Sequence, residues 1–119
     1  MPSLELSEAT ESGVHVFDLR GELDVSTVRV LHGRLLDVLT GRPCVVLDCM
    51  GLTFIDSSGM RLLLSALRLV HRQDGCLVLA CANPTVLRLF AVTGMDKTFE
   101  VEPTRDAAVH RATALRNGG

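Results

Sequence analysis

One stretch of this sequence, residues 45–60, constrains the fold more than any other. It begins with the apolar run Val-Val-Leu at residues 45–47, which is typical of a strand covered on both faces of a sheet. Near its end, residues 56–59 (Asp-Ser-Ser-Gly) form a small polar segment between two apolar runs. Small polar residues favour a helix N-terminus, because a short side-chain oxygen accepts a backbone N–H there. The stretch therefore predicts a buried strand, a short loop and the start of a helix.

The next segment, residues 60–72, changes from strand to helix periodicity. Its apolar residues recur at spacings of three and four, and polar or basic residues occupy the opposite stripe. This pattern predicts an amphipathic helix with one face exposed to solvent. The apolar stripe consists of Met60, Leu63, Leu64, Leu67 and Val70, and the opposite stripe of Arg61, Ser65, Arg68 and Arg72.

The remaining segments extend this alternation of strands and helices. Strands are predicted at residues 4–7, 14–20, 76–82 and 98–101, and further helices at 28–38, 84–94 and 104–116. Asn83 and Pro84 are a strong start signal for the helix that Gly94 closes. The order β-β-α-β-α-β-α-β-α predicts the α/β class, with about four helices on a mixed, mostly parallel sheet of four to five strands. We expect one domain over residues 1–116 and a frayed tail at residues 117–119.

Composition limits the classes of function. With 119 residues and 47% apolar residues, the chain can bury a single core without disulfides or metals. A net charge of −2 predicts no direct binding to nucleic acid, and no apolar run approaches the roughly 20 residues that cross a bilayer. Residues 1–6 lack the basic flank of a secretory signal. We therefore expect a cytoplasmic protein that does not insert into membranes.

Four cysteines form two pairs with the same spacing of five residues. An odd spacing along a strand turns the two members of each pair to opposite faces of the sheet. Both pairs also lie in the most apolar segments, where free cysteine is commonly buried. We therefore predict neither a metal site nor a structural disulfide for Cys44, Cys49, Cys76 and Cys81.

The sequence gives little support to an enzyme. Residues 56–59 do not match the Gly-x-Ser-x-Gly turn that exposes a hydrolase nucleophile. A nucleophilic serine needs a base within hydrogen-bond reach, and the four histidines are spread over a strand and three helices. No glycine-rich phosphate loop with lysine is present. We predict no catalytic residues and no cofactor.

Three motifs resemble those of the STAS domain family, the sulfate transporter and anti-sigma factor antagonist domains. Residues 45–64 resemble the family signature, and residues 21–24 (Gly-Glu-Leu-Asp) resemble its second recurrent motif. Residues 84–94 are similar to their counterpart in the antagonists, including the Arg-Leu-Phe and the closing glycine. The motifs occur in the family order and span nearly the whole chain, so the resemblance implies a single STAS-like domain.

The resemblance implies a switch protein whose chemistry belongs to its partners. In the antagonists, the unphosphorylated form binds a serine-kinase anti-sigma factor and thereby releases a sigma factor. The kinase phosphorylates the first serine after the aspartate, which is Ser57 here, and a serine phosphatase resets it. Ser58 is the alternative acceptor.

The resemblance also implies a partner-binding surface. It consists of Asp24, Asp56, Ser57, Ser58, Gly59 and Arg61. For Asp24 and Asp56, simple capping of helices is an equally good interpretation. Many family members have glycine at the position of Arg61, so this arginine is a departure that could pair with a phosphate or with an acidic partner. Arg61, Arg68 and Arg72 together form either a docking ridge or a solvated helix face.

A second interpretation uses the same fold without a switch. STAS domains also serve as adaptor subunits of lipid-transport and stress-signalling assemblies, and such a subunit would bind its partner whatever the state of Ser57. The sequence is also compatible with a weak homodimer.

Overall fold

A five-stranded sheet forms the centre of the structure, a computed structural model that describes residues 3–118. Its strands lie in chain order, β1-β2-β3-β4-β5. The first pair is antiparallel and the other three pairs are parallel, which confirms the predicted mixed and mostly parallel sheet. The strands are β1 (Leu4–Glu11), β2 (Val14–Leu23), β3 (Cys44–Ile55), β4 (Cys76–Ala80) and β5 (Glu100–Glu102).

Helices cover both faces of the sheet and define two hydrophobic cores. The larger core lies between one face and the first three helices, with Phe17, Leu47 and Phe90 fully buried. The smaller core lies under the last helix on the other face and contains Val46 and Ala112. Within residues 3–118 the helices are α1 (Val28–Val38), α2 (Ser57–Arg72), α3 (Pro84–Thr93), α4 (Met95–Thr98) and α5 (Arg105–Gly118).

The predicted signals at the ends of α3 are confirmed. The Asn83 side chain accepts a hydrogen bond from the Thr85 N–H at 2.9 Å, and Pro84 is the first helical residue. Gly94 ends the helix in the left-handed conformation, with φ of 78°. Such a residue is favoured after a helix, because glycine adopts positive φ without steric cost.

Two element boundaries differ from the sequence-based prediction. β3 continues to Ile55, because residues 51, 52, 54 and 55 pair with β2 across a register shift at Thr53, although Gly51 and Thr53 interrupt the apolar run. β5 begins at Glu100 and not at residue 98, because residues 95–98 form the additional helix α4. Met95 and Phe99 at the ends of α4 are both buried, and this burial favours a helical turn at that position.

The chain termini are described only in part. Helix α5 continues to Gly118, so residues 117 and 118 of the predicted frayed tail are helical. Residues 1, 2 and 119 lie outside the described part. Residue 119 belongs to the predicted tail, and residues 1 and 2 belong to the segment that we predict not to be a secretory signal. No helix in residues 3–118 is long and apolar enough to span a membrane.

The cysteines lie on opposite faces of the sheet, as their spacing predicts. Cys44 and Cys76 belong to the core under α5, whereas Cys49 and Cys81 belong to the core under α1, α2 and α3. All four are buried free thiols, and Cys44 lies opposite Cys76 in the register of β3 and β4.

Candidate partner-binding site

The candidate site lies where β2 and β3 both end. These strands are parallel, and Leu23 at the end of β2 pairs with Ile55 at the end of β3. Their carboxyl ends therefore meet at one edge of the sheet. As a result, the loop after β2 and the start of α2 are neighbours, although they are about thirty residues apart in sequence.

Asp56 joins these two segments. One of its carboxylate oxygens accepts a hydrogen bond from the Gly59 N–H at 2.9 Å and caps α2. The other accepts from the Val25 N–H at 3.1 Å. Its own N–H donates to the Leu23 carbonyl at 3.2 Å. Asp56 is therefore both a helix cap and a clamp on the loop after β2, a role that its position in sequence does not reveal.

Ser57 is the first residue of α2 and is exposed to solvent. Within residues 3–118 its hydroxyl has no hydrogen-bond partner, and the first N–H groups of a helix have no partner within the helix. Ser58 is half-buried, and its hydroxyl accepts a long hydrogen bond of 3.5 Å from Arg61. Of the two serines, Ser57 has the more accessible hydroxyl.

Gly59 permits the close approach of α2 to β2. A Cβ atom on this residue would lie 2.6 Å from the carbonyl oxygen of Leu23 and 2.7 Å from a side-chain carbon of Ile55. Real Cβ contacts are essentially never this short, so a larger residue would push the start of α2 away from the sheet. Glycine therefore fixes the position from which Ser57 and Ser58 are presented.

Asp24 lies beneath the surface of the loop after β2. Only 8% of the residue is exposed, and its carboxylate accepts hydrogen bonds from the Ser26 hydroxyl and N–H at 2.7 and 2.9 Å. The hydrogen bond from the Ser26 hydroxyl is the main cause that lowers the pKa of Asp24 below its ordinary value. Thr27 adds a longer hydrogen bond at 3.3 Å. Asp24 therefore shapes the loop from within.

Two large apolar side chains beside this site are exposed, and the sequence reasoning missed both. Val25, which Asp56 holds through its N–H, is 71% exposed, and Phe54 is 45% exposed. The available signal was an apolar residue in a polar loop and an aromatic residue close to Asp56. Exposed apolar groups beside a polar centre are typical of protein interfaces.

The hydrogen bonds of the described residues connect no histidine to Ser57. His15 lies on β2 with its ring 3.0 Å from Glu8, and no histidine is hydrogen-bonded to Ser57 in the described part of the chain. In residues 3–118, no three side chains of His, Cys, Asp or Glu converge as metal ligands would. What the geometry offers is a hydroxyl accessible to another molecule.

Arg61 lies to one side of the site, toward α1. Its side chain is exposed and lines a groove between α1 and α2, together with Ser58 and Arg29. The structure thus brings together Asp56, Ser57, Ser58 and Gly59 at one point. It places Asp24 underneath that point and Arg61 at its side.

Comparisons with known proteins agree on one family. The family model of the STAS domain matches residues 6–108. An anti-sigma F factor antagonist of Paenibacillus polymyxa is 30% identical over 115 residues, which cover 95% of this chain and 96% of that protein. An anti-sigma-B factor antagonist of Bacillus subtilis is 23% identical over 92 residues, covering 77% of this chain and 84% of the relative.

Solved structures resemble this fold over most of the chain. The crystal structure of an anti-sigma factor antagonist from Mycobacterium paratuberculosis has a TM-score of 0.84 and 27% identity, covering 92% of this chain and 94% of that one. The phosphorylated form of SpoIIAA, a Bacillus cell fate determinant, has a TM-score of 0.69 and 24% identity, with coverage of 92% and 98%. At this lower identity, the likeness concerns the fold alone.

Proposed function

The chain belongs to the STAS domain family, and from this premise we propose that it is an anti-sigma factor antagonist switched by phosphorylation at Ser57. The unphosphorylated form binds a serine-kinase anti-sigma factor and so releases a sigma factor. The kinase then transfers a phosphoryl group from ATP to Ser57, and a serine phosphatase removes it. The chain itself supplies no catalysis and acts in the cytoplasm, where these partners work.

The observation that carries this proposal is the presentation of the Ser57 hydroxyl. It is exposed at the first position of α2, and Asp56 ties that position to the loop after β2. The exposed side chains of Val25 and Phe54 offer apolar surface to a docking protein beside it. A kinase can therefore reach the hydroxyl, and a bound partner can cover it.

A phosphate on Ser57 would act on the interface. It adds about −1.5 to −2 charges at pH 7 next to the Asp56 carboxylate. Covering that charge without a compensating group costs several kcal/mol, and each 1.4 kcal/mol lowers affinity about tenfold. The start of α2 tolerates the phosphate within the fold, because the helix dipole favours negative charge there. Binding should therefore be lost while the domain stays folded.

The direct test is capture of the partner from a lysate of the source organism. The baits are the wild-type chain and the variants Ser57→Ala and Ser57→Asp. We expect the first two to capture an anti-sigma factor that phosphorylates the wild-type chain from ATP at Ser57, located by mass spectrometry. Ser57→Asp should fail to capture it.

A matched control separates the position of the charge from the charge itself. Thr10 is exposed on β1 and pairs with His15 near the start of β2, whereas the site lies where β2 ends, so Thr10→Asp adds the same charge away from the site. This variant should bind like wild type. Equal capture of one partner by Ser57→Ala and Ser57→Asp would contradict the switch and support the adaptor interpretation. Phosphate found on Ser58 alone would assign the acceptor role to that residue.

A further inference from the structure

Most of the arginines that form no ion pair within residues 3–118 line a groove between α1 and α2. Four other arginines, namely Arg20, Arg34, Arg105 and Arg111, lie within ion-pair distance of a carboxylate. Those at the groove form no ion pair in the described part of the chain, and three of them lie on α2, which contains no Asp or Glu. The four groove arginines are Arg29, Arg61, Arg68 and Arg72.

The groove is continuous along α2. Its first part has a volume of about 390 Å³ and begins beside Ser58. Its second part is lined by Arg68 and Arg72, and both parts share His32 and Ser65. Because α2 rises about 1.5 Å per residue, the distance along the groove from Ser58 to Arg72 is about 21 Å.

The lining combines apolar and basic groups. Val28 and Leu62 line the first part and Leu69 the second, with guanidinium groups alongside them. The chain as a whole has a net charge of −2, so this basic groove is a local feature that composition does not predict. The two carboxylates nearest its Ser58 end in sequence, Asp24 and Asp56, are occupied by the backbone and hydroxyl hydrogen bonds described above.

We propose that this groove binds an acidic, amphipathic segment of a partner protein that lies along α2. Guanidinium groups bind carboxylates through two parallel hydrogen bonds, and apolar residues of the segment would pack between them on Val28, Leu62 and Leu69. A helix of about 14 residues has the matching length, and helix-in-groove docking is a common recognition mode. Nucleic acid is disfavoured as the occupant, because the chain has no Trp or Tyr for base stacking.

The inference adds the chemistry of a partner surface to the proposed function. The groove begins at Ser58, next to the proposed switch residue Ser57, so a segment bound there would hold the rest of its protein over that residue. The inference rests on the proposed function only for the identity of the partner protein. The groove itself requires no phosphorylation.

The test uses a synthetic probe, so that it stands apart from the anti-sigma factor. A fluorescent peptide of about 16 residues is designed as an amphipathic helix with leucine on one face and glutamate on the other. Binding is measured by anisotropy with the full chain at about 0.05 and 0.5 M salt. The variants are Arg61→Glu/Arg68→Glu and the control Arg88→Glu/Lys97→Glu, which makes the same change of charge at two exposed residues of α3 and α4 that form no ion pair within residues 3–118.

We expect the peptide to bind wild type and Arg88→Glu/Lys97→Glu alike, and to bind Arg61→Glu/Arg68→Glu at least tenfold more weakly. High salt should weaken binding, and a peptide with glutamine in place of glutamate should not bind. Equal binding of the glutamate and glutamine peptides, or equal losses for Arg88→Glu/Lys97→Glu and Arg61→Glu/Arg68→Glu, would overturn the proposal. Tighter binding of a DNA duplex in the same groove would also overturn it. Circular dichroism checks that the variants fold.

Discussion

At the scale of single residues, the candidate site depends on groups that fix geometry more than on groups that react. Asp56 connects two motifs through its two carboxylate oxygens, and Gly59 sets how closely α2 approaches the end of β2. Asp24 orders the loop from below. Ser57 is then the one polar group of the cluster that is left exposed and unbonded in the described chain. The hydroxyl of Ser57, the proposed switch residue, is left accessible because the groups around it are fixed by these hydrogen bonds and contacts.

Substitution of Gly59 should therefore destabilise the domain. Gly59→Ala places a Cβ against the Leu23 carbonyl and Ile55, and overpacking of this kind costs about 1–3 kcal/mol of unfolding free energy. Gly33 is the matched control, since it lies within α1 and a Cβ atom added there would have no atom within 4 Å apart from the backbone of its own helix. Gly33→Ala should stabilise the domain by about 0.5–1 kcal/mol. Urea denaturation measures both, and effects of the same sign would contradict this account.

The buried thiols predict a loss of stability at alkaline pH. Burial, with smaller contributions from Cys81 and Asp48, raises the pKa of Cys49 far above the ordinary thiol value, and burial raises the pKa of Cys76 to about 12. Above about pH 9 the unfolded chain loses these protons and the folded chain keeps them. The unfolding free energy should then fall by about 1.4 kcal/mol per pH unit for each thiol.

Urea denaturation between about pH 8 and pH 10.5 tests this for Cys49. The stability of wild type should fall more steeply above about pH 9 than that of Cys49→Ala, so the difference between them should narrow. Leu47→Ala is the control, because it truncates another fully buried residue of β3 that carries no proton. The unfolding free energy of Leu47→Ala should change with pH in the same way as that of wild type. If the stability of Cys49→Ala fell as steeply as that of wild type, folding would not raise the pKa of the Cys49 thiol.

At the scale of elements, the apolar periodicity of the sequence predicts the helices well but predicts the ends of the strands poorly. The apolar spacing of α1 and α2 and the end signals of α3 correspond to elements of the structure. The sequence-based prediction misses the end of β3, because pairing with β2 determines where this strand ends. It also misses helix α4, because the burial of Met95 and Phe99 favours a helical turn there. Residues 56–59 are located by their small polar side chains. The contact of Asp56 with Val25 depends on strand register, which local sequence does not carry.

Helix α5 is anchored to the sheet by one arginine among three carboxylates. Arg105 bonds Glu11 at 2.8 and 2.5 Å and lies 3.5 Å from Asp48 and 3.8 Å from Asp18. The hydrogen bonds to Glu11 are the main cause that raises the pKa of Arg105. A cation at the first position of a helix opposes the helix dipole, so these carboxylates are what stabilises it there.

Arg105→Ala should lower the unfolding free energy by about 1–3 kcal/mol, because it leaves the buried Asp48 without its cationic partner. Arg111 on the same helix provides the comparison, since both partners of its ion pair with Glu100 of β5 are more than 40% exposed. Arg111→Ala should cost less than about 1 kcal/mol. Chemical denaturation of the two variants measures the difference, and equal losses would mean that α5 is not held by the Arg105 cluster.

At the scale of the whole molecule, the proposed switch and the core are separate. The two cores lie within the layers above and below the sheet, whereas Ser57 lies at the edge where β2 and β3 end. Because Ser57 is exposed, a negative charge on it lies outside both cores. It gains roughly 0.3–1 kcal/mol from the start of α2 and is opposed by the neighbouring Asp56 carboxylate. Phosphorylation should therefore change what the surface binds and leave the fold intact.

The variant Ser57→Asp tests this separation directly. Its unfolding free energy should stay within about 0.5 kcal/mol of wild type, as for most surface substitutions, while capture of the anti-sigma factor is lost. Ser57→Asn is the control of similar size without charge, and it should retain both stability and binding. If Ser57→Asp unfolded at a markedly lower denaturant concentration than Ser57→Asn, the negative charge would be acting through the core. Loss of binding would then report a change of fold, and the interface account would be wrong.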